Sequence, residues 1–148
     1  MTQNEQPIVS VRNLSVVFNP GRKPVQAVSG VDLSVRRGES VALIGESGSG
    51  KSVTLRTLLR LHPEKRTRIG GEIEVAGQSV LGLSPRALAD YRGRSVSMIF
   101  QEPLLALDPV YTVGAQIVEA IRRHETVSAA EARPRARAVL GRGRLPRP

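Results

Sequence analysis

The period of hydrophobic positions changes several times along the chain, and each change predicts an element. From Pro7 to Phe18, PIVSVRNLSVVF mixes alternation with β-branched residues and predicts a strand. NPGRKP predicts a loop, and AVSGVDLSVRRGES a pair of strands interrupted at Gly30 and closed by a turn at Gly38. SVALI (Ser40 to Ile44) is a short continuous apolar run, which predicts a strand buried on both faces of a parallel sheet. In KSVTLRTLLRLH, Val53, Leu55, Leu58, Leu59 and Leu61 fall near helical spacing until Pro63 ends the run. IGGEIEVAGQSV returns to strand and turn character. SPRALADYRG opens on serine then proline, a helix cap followed by its favoured first residue. SVSMIF (Ser95 to Phe100) predicts another buried strand, and QEPLLALDPVY a loop held by Pro103 and Pro109. TVGAQIVEAIRRH starts at a threonine cap and lines up Val113, Ile117, Val118 and Ile121, predicting a helix. This succession predicts an α/β fold with an antiparallel strand group at the front.

At 148 residues, 40% hydrophobic and 24% charged, the chain suits one soluble domain. Its longest apolar runs fall far below the roughly 18–20 residues that span a bilayer. The polar start MTQNEQP lacks a signal-peptide pattern, and zero cysteines exclude disulfides and thiolate metal sites, so a cytoplasmic location is expected. The net charge of +9 is concentrated at one end: Arg133 to Pro148 hold six arginines and no acid, leaving +3 on residues 1–132. That tail keeps no apolar period past Leu140 and is expected to be disordered. A nucleic-acid-binding module would rest on the tail alone. Aromatics at 3% leave little for base stacking, so no nucleic-acid partner is expected.

Gly45-Glu46-Ser47-Gly48-Ser49-Gly50-Lys51-Ser52 fits the phosphate-loop pattern G-x-x-x-x-G-K-[ST], between an apolar run and an amphipathic one. Glycines let successive N–H groups point inward as an anion nest, and the helix start beneath adds its dipole. The Lys51 ammonium can reach the β and γ phosphates, and the Ser52 hydroxyl can join a Mg²⁺ shell. Gly45 to Val53 are therefore candidate nucleotide-binding residues, with ATP and Mg²⁺ as the expected ligands. A glycine-rich β–α turn with an incidental Lys-Ser is the plain alternative.

The wording GESGSGKSVT, with VDLSVRRGESVALIGESGSGKS before it and GGEIEVAGQSV after it, resembles the ATP-binding subunit of ABC transporters. Within that family it resembles the importers of dipeptides and oligopeptides. MIFQEPLLALDPVYTVGAQIVEAI is similar to the segment with the family's Q-loop glutamine and the first helix of its helical subdomain; the resemblance runs from about Ile8 to Ile121. It implies a P-loop ATPase fold with an antiparallel β group, two such subunits around two ATP molecules, and transmembrane permease subunits as partners. It also implies a place on the inner face of the cell membrane. Gln101 matches the Q-loop glutamine, which can touch Mg²⁺ or the attacking water, so Gln101 joins Lys51 as a catalytic candidate and Ser52 as a metal candidate. Phe18 stands where the family places an adenine-stacking aromatic, commonly tyrosine; a buried strand phenylalanine is the alternative.

The chain also departs from that pattern. It has no L-S-G-G-Q-like signature, no Walker B Asp-Glu pair and no switch histidine after it. About half of a nucleotide-binding domain is expected in residues 1–132, cut before the rest of the helical subdomain and inactive alone. The segment 133–148 has the composition of a GC-rich frame read out of register, and a frameshift is the expectation there. LLALDP mimics a Walker B strand, but prolines flank it and Pro109 follows Asp108 where glutamate is needed. A small soluble kinase or GTPase using Asp108 is the rival reading. His62 and His124 each close a helix, where a polar ring suits the C-terminal dipole, and neither is expected to be a ligand.

Overall fold

The computed structural model describes residues 6–21, 23–102 and 106–143, in two compact units divided after Val96. The first unit carries strand β1 (Val9–Phe18), strand β2 (Val25–Val35), helix α1 (Lys51–Leu58), a 3₁₀ turn at Glu64–Arg66, strand β3 (Thr67–Val75), the short strand β4 (Gln78–Ser79) and helix α2 (Pro85–Arg94). The second carries α3 (Val113–His124) and α4 (Ala129–Arg142).

The strands form one antiparallel sheet in the order β2-β1-β3-β4. Its core face gathers Val11, Leu14, Val16, Val28, Ile73 and Val75, closed by Val80, Leu88 and Tyr91. Strict alternation would place Val11 and Leu14 on opposite faces, yet both are buried. A bulge resolves this: Arg12 pairs with Glu72 and Ser15 with Gly70, so two residues of β1 oppose Gly71 alone. Asn13 takes a left-handed φ of 48° there, and its N–H donates to the Asp32 carboxylate at 2.8 Å.

β2 runs unbroken through Gly30, which corrects the expected strand pair. Gly30 absorbs the irregularity with φ 62°, and its N–H donates to Ser15 Oγ at 3.3 Å, keeping the ladder in one piece. The expected strand Ser40–Ile44 does not form, and Val41 and Ile44 are 45% and 93% exposed. Ser95–Phe100 likewise stays irregular apart from a single bridge between Val96 and Arg92, with Ile99 exposed. Both corrections share a cause. A strand buried on both faces needs a neighbour on each side, and no described strand pairs with either run.

Ser84 caps α2, its hydroxyl accepting from Ala87 N, with Pro85 in the first position as the sequence predicts. α2 in turn secures the end of α1, which stops at Leu58, short of the expected stop at Pro63. The Tyr91 hydroxyl donates to Leu58 O at 2.8 Å, and Arg92 donates to Leu59 O and Arg60 O at 2.8 and 2.6 Å. These donors satisfy terminal carbonyls that the helix leaves open.

Burial pushes the Tyr91 phenol up to about 12. Its folded pKa is thus raised above the unfolded value of about 10, so its contribution is intact below pH 10 and lost as pH climbs toward 12. The unfolding midpoint in urea is expected to fall between pH 10 and 12, and Tyr91→Phe to flatten that decline. A wild-type midpoint unchanged up to pH 12 would contradict the assignment.

The expectation of a disordered arginine-rich tail is corrected over Arg133–Arg142, which forms most of α4. Its start is a capping box: Ser128 Oγ accepts from Glu131 N at 3.2 Å, while the Glu131 carboxylate accepts from Ser128 N and Oγ. The Ser128 hydroxyl, then its N–H, hold the Glu131 carboxyl below its usual range, with Arg135 adding to the effect. Buried Ala132 and Ala136 let α4 sit close on α3, and an Arg135–Glu125 ion pair joins the two helices' edges. Pro134 removes one internal N–H donor without ending the helix. Residues 144–148 of the tail lie outside the described residues.

Candidate functional site

The joint between Ile44 and α1 is a compact turn in which four positions matter most. Gly48 and Gly50 take φ of 83° and 91°, left-handed values that favour glycine. A Cβ on Gly50 would stand 2.7 Å from Ala27 O, so the turn is seated directly against β2. A Cβ on Gly45 would meet Ser49 Oγ at 2.9 Å, so the Ser49 hydroxyl occupies the space beside this glycine. Lys51 folds back over this ring: its ammonium donates to Gly45 O and Glu46 O, both at 2.6 Å, and to Ser49 Oγ at 3.1 Å.

Gly50 stands at the N-cap of α1 and offers no side chain to cap it. The first amides of the helix, at Lys51, Ser52 and Val53, have no partner within the helix by geometry. Thr54 N is the first to close a turn, onto Gly50 O at 2.8 Å. No acidic residue occupies the first turn. The result is an open helix start, a ring of loop backbone and one lysine cation over it, an arrangement suited to a negatively charged ligand. Loop residues from Gly45 to Ser49 are exposed, and so is Ser52.

The structure also brings Phe18 toward this corner. Phe18 ends β1 opposite Val25, two residues before the Ala27 carbonyl that Gly50 abuts. Its ring is half-buried and meets the His62 ring at 5.3 Å between centroids, with planes 72° apart. His62 does more than follow the helix, the role its position in the sequence predicts. Its Nε2 lies 3.1 Å from both Val53 O and Thr57 Oγ1, folding the chain after α1 back along the helix. No spacing signal in the sequence points to that contact.

Gln101 lies in the second unit, exposed and outside any helix or strand. Asp108 is engaged in a turn. Its carboxylate accepts from Val110 N at 2.9 Å, and its backbone is clamped from both sides by the Gln116 amide at 2.9 Å. That is a local structural role for Asp108. Leu104 and Leu105 of that motif, with Pro103, lie outside the described residues. Among the described residues, no cluster of three acidic, histidine or cysteine side chains could hold a metal ion. No described helix is long and apolar enough to cross a membrane.

A groove between α3 and α4 lies wholly in the second unit. Val118, Ala136 and Leu140 contribute its apolar lining, with Arg122, Arg133 and Arg137 alongside. Sequence reasoning misses it by treating the arginines of α4 as a disordered tail. The signal that reveals the helix is Ser128-x-x-Glu131 ahead of an alanine-rich stretch.

The ABC transporter family profile matches residues 28–145, running past Ile121 and through α4. The chain is 41% identical over 140 residues to a provisionally named peptide import ATP-binding protein of Brucella abortus (strain 2308). That alignment covers 95% of this chain and 42% of the relative. It is 44% identical over 138 residues to a peptidoglycan transport ATP-binding protein of Agrobacterium fabrum (strain C58), covering 93% of this chain and 25% of that one. The chain thus spans less than half the length of these curated relatives. Among solved structures it is similar to a dimeric bacterial ABC transporter cassette, with a TM-score of 0.76 and 26% identity over 93% of this chain and 58% of that one. The same cassette in a post-hydrolysis state bound to ADP and Pi gives a TM-score of 0.72 at the same identity and coverage. The fold is accordingly that of an ABC ATPase cassette, an α/β fold with an antiparallel β group, of which this chain supplies a part. Because the profile takes in the glycine-rich turn from Gly45 to Ser52, much of the sheet and the helices after it, this chain belongs to the ABC transporter family.

Proposed function

We propose that this chain is the nucleotide-binding part of an ABC importer ATPase subunit, with peptides as the cargo class. The observation that carries the reading is the Lys51 ammonium held over the Gly45 and Glu46 carbonyls and the Ser49 hydroxyl at an uncapped helix start. Gly45 to Val53 take the phosphates of ATP. The loop amides and the α1 dipole meet the anionic charge, and Lys51 gives a movable cation that exchanges carbonyl partners for phosphate oxygens. Phe18, at the same corner, is the neighbour of the adenine ring. The relatives' names, which speak of peptide and peptidoglycan transport, support the cargo class.

Mg²⁺ supplies a hard cation that neutralises phosphate charge. The residues here that fit it are few. Ser52, second in α1 and exposed, offers a hydroxyl beside the phosphate position. Gln101 offers a neutral amide and is proposed as the second metal contact. Catalysis by the whole subunit uses charge stabilisation by Lys51 and the loop amides, with Gln101 orienting the attacking water. The partners proposed are transmembrane permease subunits and a second ATP-binding subunit, at the inner face of the membrane. The dimeric cassette of the same fold supports the second of these.

Titration calorimetry with ATP, with and without Mg²⁺, tests the reading. Mg²⁺ is expected to tighten ATP binding to the wild type, and Ser52→Ala to erase most of that increment. Binding of Mg²⁺-free ATP should change by less than about threefold, as for one exposed hydroxyl. An Mg²⁺ increment that survives in Ser52→Ala removes Ser52 from the metal shell.

A further inference from the structure

We infer that His62 is a positioning residue for the nucleotide base, fixing the Phe18 ring relative to the helix that starts under the phosphates; this rests on the nucleotide-binding reading above. Hydrogen-bond roles define the state of the ring. Val53 O can only accept, so the hydrogen bond to it at 3.1 Å is the one made by the Nε2–H tautomer of His62. Thr57, fully buried, donates its hydroxyl to the same Val53 O at 2.7 Å and presents an oxygen 3.1 Å from His62 Nε2. The ring is thereby pinned by its far nitrogen to the first turn of α1, the turn that also carries Lys51 and Ser52.

The same ring meets Phe18 edge to face. Phe18 is the last residue of β1, paired with Val25 and Thr67 and partly packed against the core. His62 therefore links two parts of the site that the backbone leaves about thirty-five residues apart: the aromatic offered to the base and the helix turn offered to the phosphates. A side chain that only capped α1 would need no contact with Phe18, and a core filler would need no proton on Nε2.

The experiment compares ATP with tripolyphosphate, which carries the phosphates and no base, by titration calorimetry on the full chain. His62→Ala is expected to weaken ATP binding about five- to tenfold, as for one hydrogen bond plus one aromatic contact. Tripolyphosphate binding should stay within about twofold, since the loop itself is untouched. Should His62→Ala fail to fold, His62→Gln keeps a donor near Val53 O and removes only the ring. It should show the same selective loss, and no further loss in a Phe18→Ala background. Equal losses for both ligands, or independent losses in the Phe18→Ala background, overturn the inference and leave the loop reading standing. Wild-type protein that binds neither ligand overturns both.

Discussion

Lys51→Ala is expected to weaken ATP binding by about 10- to 150-fold while leaving the unfolding transition nearly in place. The magnitude follows from the interaction that the substitution removes: a hydrogen bond to a charged group is worth about 1.5–3 kcal/mol. Here the cation is already positioned, its three loop partners within 3.1 Å, so little ordering is required when a phosphate replaces them. Those partners are exposed loop atoms, so the alanine leaves no buried group unsatisfied and should cost under about 0.5 kcal/mol of stability. Tripolyphosphate binding should weaken as much as ATP binding, in contrast to the base-selective effect expected at His62. Calorimetry on the variant and wild type, alongside a urea melt, decides the matter. Undiminished ATP affinity in Lys51→Ala would remove the lysine from the site.

Gly71→Ala is expected to destabilise the fold by at least about 2 kcal/mol. Gly71 sits opposite the β1 bulge at φ 93°, a region costing an L-residue about 1–2 kcal/mol. Strain is the smaller part. An added Cβ would lie 2.4 Å from Asn13 O and 2.5 Å from Arg12 O, both backbone atoms fixed by the ladder. Relief requires parting β1 from β3 above the buried Leu14, at a further cost of about 1–3 kcal/mol or more. Gly77→Ala is the control. It shares a positive φ, 76°, but nothing lies within 4 Å of the added carbon. That variant should show only the strain. Urea unfolding midpoints that fall equally for the two variants would show that the bulge does not confine Gly71.

Local rules make much of this protein legible from its sequence. The glycine-rich turn before α1, the Ser84-Pro85 start of α2, the Thr112 start of α3 and β1 all depend on residues close in the chain, and each lies where the pattern places it. The runs SVALI and SVSMIF show where such rules stop. Apolar content makes a segment fit for a buried strand, but pairing partners come from elsewhere, and none of the described strands supplies them. The β1 bulge is hidden for a related reason, since it is set jointly by Asn13, Gly71 and Asp32 on three strands. Composition misleads at α4. Arginine, proline and glycine suggest disorder, while the Ser128–Glu131 box and buried Ala132 and Ala136 make a helix. At the site itself, His62 shows the same limit: its contact with Phe18 crosses about forty residues and leaves no periodic trace.

The central claim is that backbone amides from Gly48 to Ser52 receive the phosphates of a nucleotide. Amide ¹H–¹⁵N spectra recorded during MgATP addition test it at each residue. The largest shifts are expected at Gly48, Gly50, Lys51 and Ser52, reproduced there by tripolyphosphate and accompanied at Phe18 only with ATP. Shifts confined to the arginines of α4, with the loop amides unmoved, would contradict the account.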